Sequence, residues 1–224
     1  AVSQFTLYAS VRKGNRPSWS RAAKGEVSRP LFAAFVDKLA GEFGKPVEAG
    51  VFGADMLVSL LDQLGIDKTH LASISFGGII ALDFAIRHGK RLDSLIVMST
   101  FAELTPQLEF LGAVMTQGLT EVGLPYLQTM LYPMNMSSQW IAANRERIPA
   151  MKRAGYIGND GYAMQNLMES FAEFKPLTPQ LEKIKVPTLI MNGEFDFFTP
   201  RECHELIRSK VANSRLLIIQ RAYH

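Results

Sequence analysis

Apolar residues along the chain fall into two kinds of run. Short unbroken runs at residues 70–74, 94–99, 186–191 and 216–220 have the length and composition of buried strands. Between the first two lies a stretch with helical character: Ile79, Ile80, Leu82, Phe84, Ala85 and Ile86, closed by Gly89 with Lys90 and Arg91 behind it. Leu31, Phe32, Phe35, Val36, Leu39, Ala40 and Phe43 form another helical stripe, with Ser28 and Pro30 as start signals and Gly44 and Pro46 as stop signals. A further helix begins near Phe52. Residues 101–182 interrupt the strand series and carry helical spacing at Leu108, Leu111, Met115 and Leu119, then at Tyr162, Leu167, Met168 and Phe171. The pattern predicts an α/β chain with a mostly parallel central sheet flanked by helices. Residues 1–100 and 183–224 are expected to form the core, with an inserted helical region at 101–182.

The strand at 70–74 passes through Ser75 into the helix beginning near Ile79, with Phe76, Gly77 and Gly78 at the turn. A serine displayed there takes a strained backbone conformation so that its hydroxyl stands clear of the sheet, and the glycines leave room where strand and helix approach. The Phe76 N–H, at the start of the helix, then points toward the oxygen that becomes negative when a carbonyl is attacked. A glycine-rich loop before a helix is the bland alternative for the same residues.

This segment resembles the serine turn of the α/β-hydrolases, with Ser73-x-Ser75-x-Gly77 in place of Gly-x-Ser-x-Gly. The strand at 186–191 ends in Asn192-Gly193-Glu194-Phe195-Asp196-Phe197-Phe198-Thr199-Pro200, which resembles the family's acid loop and puts Asp196 in the position of the triad carboxylate. The strand at 216–220 leads to His224, where the family keeps its triad histidine. Serine, acid, histidine is also the family's chain order. The resemblance implies Ser75 as nucleophile, His224 as base and acid, Asp196 as orienter and Phe76 N–H as one oxyanion donor. The serine at the first elbow position, preceded by His70-Leu71, together with the acid loop, looks like the branch containing bacterial 3-hydroxyacyl transferases. In position the insertion at 101–182 matches the helical lid of the α/β-hydrolases, and that wider resemblance makes carboxyl ester hydrolysis the leading expectation. Acyl transfer from a thioester to an alcohol or thiol and non-catalytic binding of an apolar ligand stay open beside it.

Other chemistry-bearing residues have simpler readings. Glu194, two before Asp196, and Glu103, after the strand ending at Ser99, could each supply the orienting carboxylate but read first as solvated charges, with His88 as a cation at a helix end, His70 as a strand opener and His204 as a surface or half-buried helix residue. Cys203, the sole cysteine, reads as a small buried hydrophobe. No histidine pair has metal-ligand spacing and no phosphate-binding glycine loop occurs, so no metal or other cofactor is expected. Seven of the ten methionines, Met115, Met130, Met134, Met136, Met151, Met164 and Met168, lie in the inserted region. Most are expected to pack its helices together and some to face a small hydrophobic acyl substrate.

Composition adds one local feature. Residues 10–30 carry six basic side chains against Glu26 alone, so the formal net charge of +3 is confined there and the rest of the chain is net acidic. A solvated loop is expected, with no nucleic-acid partner. No apolar run reaches the roughly twenty residues of a membrane-spanning helix, so no stable membrane insertion is expected, and the cysteine usage favours a reducing cytoplasm. The N-terminal third departs from the family: no His-Gly precedes the helical stripe at 31–43 to donate a second oxyanion N–H. The N-terminal strands are accordingly expected to be incomplete, the sequence to be truncated or altered relative to a full-length relative, and the similarity to run from about Phe52 to His224.

Overall fold

A computed structural model describes residues 54–158, 161–171 and 174–224, with isolated positions between 34 and 44. The chain divides into two units, Ala1–Phe52 and Gly53–His224. In the first, positions 34, 37, 38 and 40–42 are helical, within the stripe expected at 31–43. The basic segment at 10–30 lies outside the described residues.

The second unit holds a four-stranded, wholly parallel sheet in the order β1 (Thr69–Ile74), β2 (Leu92–Met98), β3 (Thr188–Gly193) and β4 (Ser214–Ile219). Helix α1 (Ala54–Gln63) precedes β1, and α2 (Phe76–His88) connects β1 to β2. The Arg91 guanidinium ties the α1–β1 connection down, donating to the carbonyls of Asp67 and Ile66 and to Asp62. Among the described residues five α-helices stand between β2 and β3: α3 (Pro106–Gln117), α4 (Leu124–Asn135), α5 (Ser138–Ala143), α6 (Ile148–Gly158) and α7 (Gly161–Ser170). Helix α8 (Arg201–Lys210) joins β3 to β4.

The core lies between the sheet and the helices α2 and α8. Leu82 and Phe84 of α2, Leu95 and Val97 of β2, Ile190 of β3 and Ile207 of α8 are buried in one cluster. Each such side chain contributes about 1.5–3 kcal/mol by leaving water. The inserted helices carry a second, smaller cluster of Leu119, Leu124 and Leu127, packed by Met115, Met130, Leu131 and Met164. Three of the seven methionines thus serve helix packing. The insertion starts at a capped helix: Pro106 occupies the first turn of α3 and the Thr105 hydroxyl accepts from Leu108 N–H. Its neck is closed by Leu177 N–H donating to Ala102 O at 2.8 Å. Near its return to the core Phe171 meets Phe76 edge-on at 5.5 Å and Phe101 at 6.1 Å.

Strand pairing continues past the ends of the strands into the loops. Ser75 N–H donates to Met98 O, Ser99 N–H to Met191 O and Glu194 N–H to Ile219 O. Each loop at the C-terminal edge of the sheet is therefore registered on its neighbour, which is what positions the groups described next. Among the described residues no helix is long and apolar enough to cross a membrane.

Candidate active site

Ser75 sits between β1 and α2 with φ 54° and ψ −128°. A non-glycine residue holds such a backbone only when its surroundings over-determine it. Here they do. Its N–H is fixed on Met98 O, and its carbonyl accepts from Gly78 N–H at 2.8 Å and from the Thr100 hydroxyl at 2.8 Å. Gly78 makes that approach possible, because a Cβ on it would lie 2.5 Å from Thr100 Cβ. The turn leaves Ser75 Oγ 2.8 Å from His224 Nε2. Phe76 is the first residue of α2, so its N–H belongs to the positive end of the helix.

Asp196 follows β3 and its side chain is fully buried. Its carboxylate accepts from Thr199 N–H and Thr199 Oγ1, both at 2.9 Å, from Asn192 Nδ2 at 3.2 Å and from His224 Nδ1 at 3.0 Å. Burial alone would raise its pKa. The hydrogen bonds from His224 and Thr199, the nearby imidazole charge and the Ser99 hydroxyl outweigh burial and leave the carboxyl below its ordinary value. Asp196 is thus held as an anion at neutral pH.

His224 follows β4 and is carried to the site by close backbone packing. Phe195 N–H donates to Ala222 O at 2.8 Å, and Arg221, at φ 58°, donates its N–H to Glu194 Oε2. Gly193 allows the contact, since a Cβ there would come within 2.7 Å of Ala222 O. The Phe198 ring stacks edge-on against the imidazole at 5.1 Å. With Nδ1 on a carboxylate and Nε2 on a hydroxyl, the neutral ring carries its proton on Nδ1 and accepts at Nε2.

The structure therefore brings together Ser75, His224 and Asp196, which stand up to 149 residues apart in the chain. The other titratable groups lie elsewhere. His70 Nδ1 bonds Ser94 Oγ, and His88 packs against Phe84. Glu194 is exposed and accepts from Arg221 N–H, so this surface carboxylate also holds the histidine loop. Cys203 is buried, and burial together with the Glu202 and Asp196 carboxylates pushes its thiol up to about 11. One expectation needs correction. His204 is neither at the surface nor half-buried but wholly enclosed, with Nε2 accepting from Thr100 N–H at 2.9 Å and Nδ1 facing Pro200 O at 3.3 Å. Both partners are backbone groups, one of them 104 residues away, which no local pattern marks. Thr100 carries no mark in the sequence, whereas Asn192 and Thr199 belong to the acid-loop motif, which by itself assigns them no role. A concavity of about 280 Å³ lined by Asn192, Glu194, Arg201, Ile218 and Gln220 includes neither Ser75 nor His224 in its lining. Among the described residues no group of three or more His, Cys, Asp or Glu side chains could hold a metal ion.

Similarity to known proteins divides the chain. Residues 1–63 match the family described as D-Tyr-tRNA(Tyr) deacylase. Within them, 63 residues are 74% identical to the D-aminoacyl-tRNA deacylase of Dechloromonas aromatica (strain RCB), over 28% of this chain and 42% of that protein. The chain thus spans less than half the length of that relative. An α/β-hydrolase enzyme from a Medee basin deep-sea metagenome library superposes with a TM-score of 0.67 at 24% identity, over 80% of this chain and 68% of the other. A thermophilic esterase from Thermogutta terrifontis gives 0.64 at 24% identity, over 76% of this chain and 63% of the other. At these identities the likeness establishes the fold alone. The family described as Serine aminopeptidase, S33 matches residues 54–224, and α1 is the stretch that both family matches share. By that match, over more than half its length, the chain belongs to the serine aminopeptidase S33 family of α/β-hydrolases.

Proposed function

We propose that residues 54–224 act as a serine hydrolase that cleaves carboxylic esters of hydrophobic acyl substrates through an acyl-enzyme on Ser75. The observation that carries this reading is the unbroken line of hydrogen bonds from Ser75 Oγ through His224 to the buried Asp196. Ser75 Oγ attacks the ester carbonyl while His224 Nε2 takes its proton, and Asp196 stabilises the imidazolium that forms. The tetrahedral oxygen gathers charge toward Phe76 N–H at the start of α2. Collapse expels the alcohol, which receives the proton from His224. Water, deprotonated by the same nitrogen, then attacks the acyl-serine, and the acid leaves with Ser75 Oγ reprotonated.

In this reading residues 101–182 are a cap on the core. Its support is the neck bond between Leu177 and Ala102 and the seating of Phe171 on Phe76, next to the nucleophile. The same triad would serve acyl transfer, because only the second nucleophile differs.

Treatment of the purified chain with a fluorophosphonate, followed by intact mass and peptide mapping, tests the assignment. The expected result is a single adduct on Ser75, absent from Ser75→Ala, with ester turnover in that variant reduced by at least about a thousandfold. A well-folded chain that takes up no probe overturns the reading. Appearance of the acyl group on an added alcohol in place of free acid replaces hydrolysis by transfer.

A further inference from the structure

The hydrogen bonds of the site form a closed circuit, and the line through His224 is only half of it. From Asp196 a second path runs beneath the catalytic groups. Thr199 donates both its N–H and its hydroxyl to the carboxylate. Pro200 follows in the chain, and its carbonyl faces His204 Nδ1. His204 Nε2 accepts from Thr100 N–H, and the Thr100 hydroxyl donates to Ser75 O. The Thr100 and His204 side chains are wholly buried and lie on separate elements, the loop after β2 and the first turn of α8. Ser99, immediately before Thr100, has φ 45°, which turns the chain as it leaves β2.

This second path ends on the backbone of the strained residue. A serine at φ 54° relaxes unless its neighbours hold it, and relaxation would swing the hydroxyl away from His224. Among the donors on Ser75 O, Gly78 N–H lies within the same local turn, whereas the Thr100 hydroxyl comes from a different strand end. Thr100 thus holds the carbonyl side of the nucleophile to the end of β2, beside the Ser75 N–H that Met98 O already fixes. His204 in turn fixes Thr100. Because Nε2 must accept from an N–H, the ring is neutral with its proton on Nδ1, directed at Pro200 O. A side chain that only filled space would need neither partner.

We propose that Thr100 and His204 are positioning residues for acyl transfer to Ser75, holding the nucleophile's backbone in register with the loop that carries Asp196. This rests on the assignment of Ser75 as nucleophile. Neither residue touches the reacting atoms, so the expected signature is a loss of acylation rate with little change in substrate affinity.

The test compares Thr100→Val, which keeps the shape and removes the hydroxyl, with Thr100→Ser, which keeps the hydroxyl. It likewise compares His204→Leu with His204→Gln, whose amide oxygen can accept from Thr100 N–H. The inactivation rate and affinity for a fluorophosphonate, and kcat and KM for a p-nitrophenyl acyl ester, are measured on samples shown to be folded by their thermal transitions. A displacement of the nucleophile by a fraction of an ångström predicts an acylation rate about 10- to 100-fold lower in Thr100→Val and His204→Leu, with affinity and KM within about twofold. Thr100→Ser and His204→Gln are expected to restore the rate to within about threefold of the parent. If His204→Leu does not fold, the Thr100 pair decides alone, since Val and Thr have the same shape. Folded variants that acylate at the parent rate, loss confined to KM, or Ser and Gln variants as impaired as Val and Leu would each overturn the positioning role while the parent still labels at Ser75. A parent that does not label at all removes both the nucleophile assignment and this proposal.

Discussion

Burial lowers the pKa of His204, while hydrogen bonds lower that of Asp196 against its burial, with consequences that can be separated by pH. His204 is held below its ordinary pKa, first by burial, with the Pro200 carbonyl and the Asp196 charge opposing that only in part. In the unfolded chain the same imidazole titrates near about 6.5, so between that pH and its folded value the unfolded state binds the extra proton. Its contribution to stability is complete above about 6.5 and is lost as pH falls toward the folded value. Asp196 is also lowered in the folded state, so its contribution is complete above about 3.9, the unfolded carboxyl value, and disappears below it. Acid should therefore destabilise the chain in two steps, the first with a slope of at most about 1.4 kcal/mol per pH unit for the one histidine. Urea midpoints at pH 7.5, 6.5 and 5.5 check this. The parent is expected to fall across the lower interval and His204→Gln to fall less, whereas a parent profile flat from 7.5 to 5.5 would contradict it.

At the scale of elements, the strands expected from the sequence are present, displaced at their ends by about two residues: 94–99 against Leu92–Met98, and 186–191 against Thr188–Gly193. Parallel strands in a core are apolar on both faces, so they have no polar alternation to mark where pairing begins. The serine turn, the acid loop and the terminal histidine were legible because each follows a strand and is built from consecutive residues. The second path was not, because Thr100 and His204 take their meaning from partners 25 and 104 residues away. The inserted helices were legible as helices, and their separate apolar cluster explains how they keep their own shape. Leu127 is its fully buried member. Leu127→Ala should cost about 2–5 kcal/mol of local packing between α3, α4 and α7. Because the cluster is distinct from the sheet core, the expected outcome is faster proteolysis and amide exchange within 106–135, with fluorophosphonate labelling of Ser75 retained. Equal loosening of β2 and β3 would show that insertion and core unfold as one.

At the scale of the molecule, the two faces of the sheet are treated differently. The core helices α2 and α8 share one face, where Leu95, Val97 and Ile190 are buried. The register places Ile74, Met98, Met191 and Leu217 in one row across the opposite face, with Ile219 beside its end. On that side Ile74 is 54% exposed, Leu217 47% and Ile219 41%. Wholly parallel sheets ordinarily have both faces covered, and a contiguous apolar patch is unusual on a free surface. From the sequence the strands read as buried throughout, since an apolar run records that a face is suited to burial but not whether anything reaches it. Exposure of this kind has a direct readout: a fluorescent apolar dye should bind the native chain at neutral pH, and Leu217→Lys with Ile219→Lys should cut the signal by about half or more. Both side chains point away from the face that carries the core, so labelling of Ser75 should persist in the double variant. A native chain that binds no dye would mean the row is covered in solution. Dye binding unaffected by the two lysines would locate the apolar surface elsewhere, with Phe110 and Val122 of the inserted region, 75% and 63% exposed, as the next side chains to change.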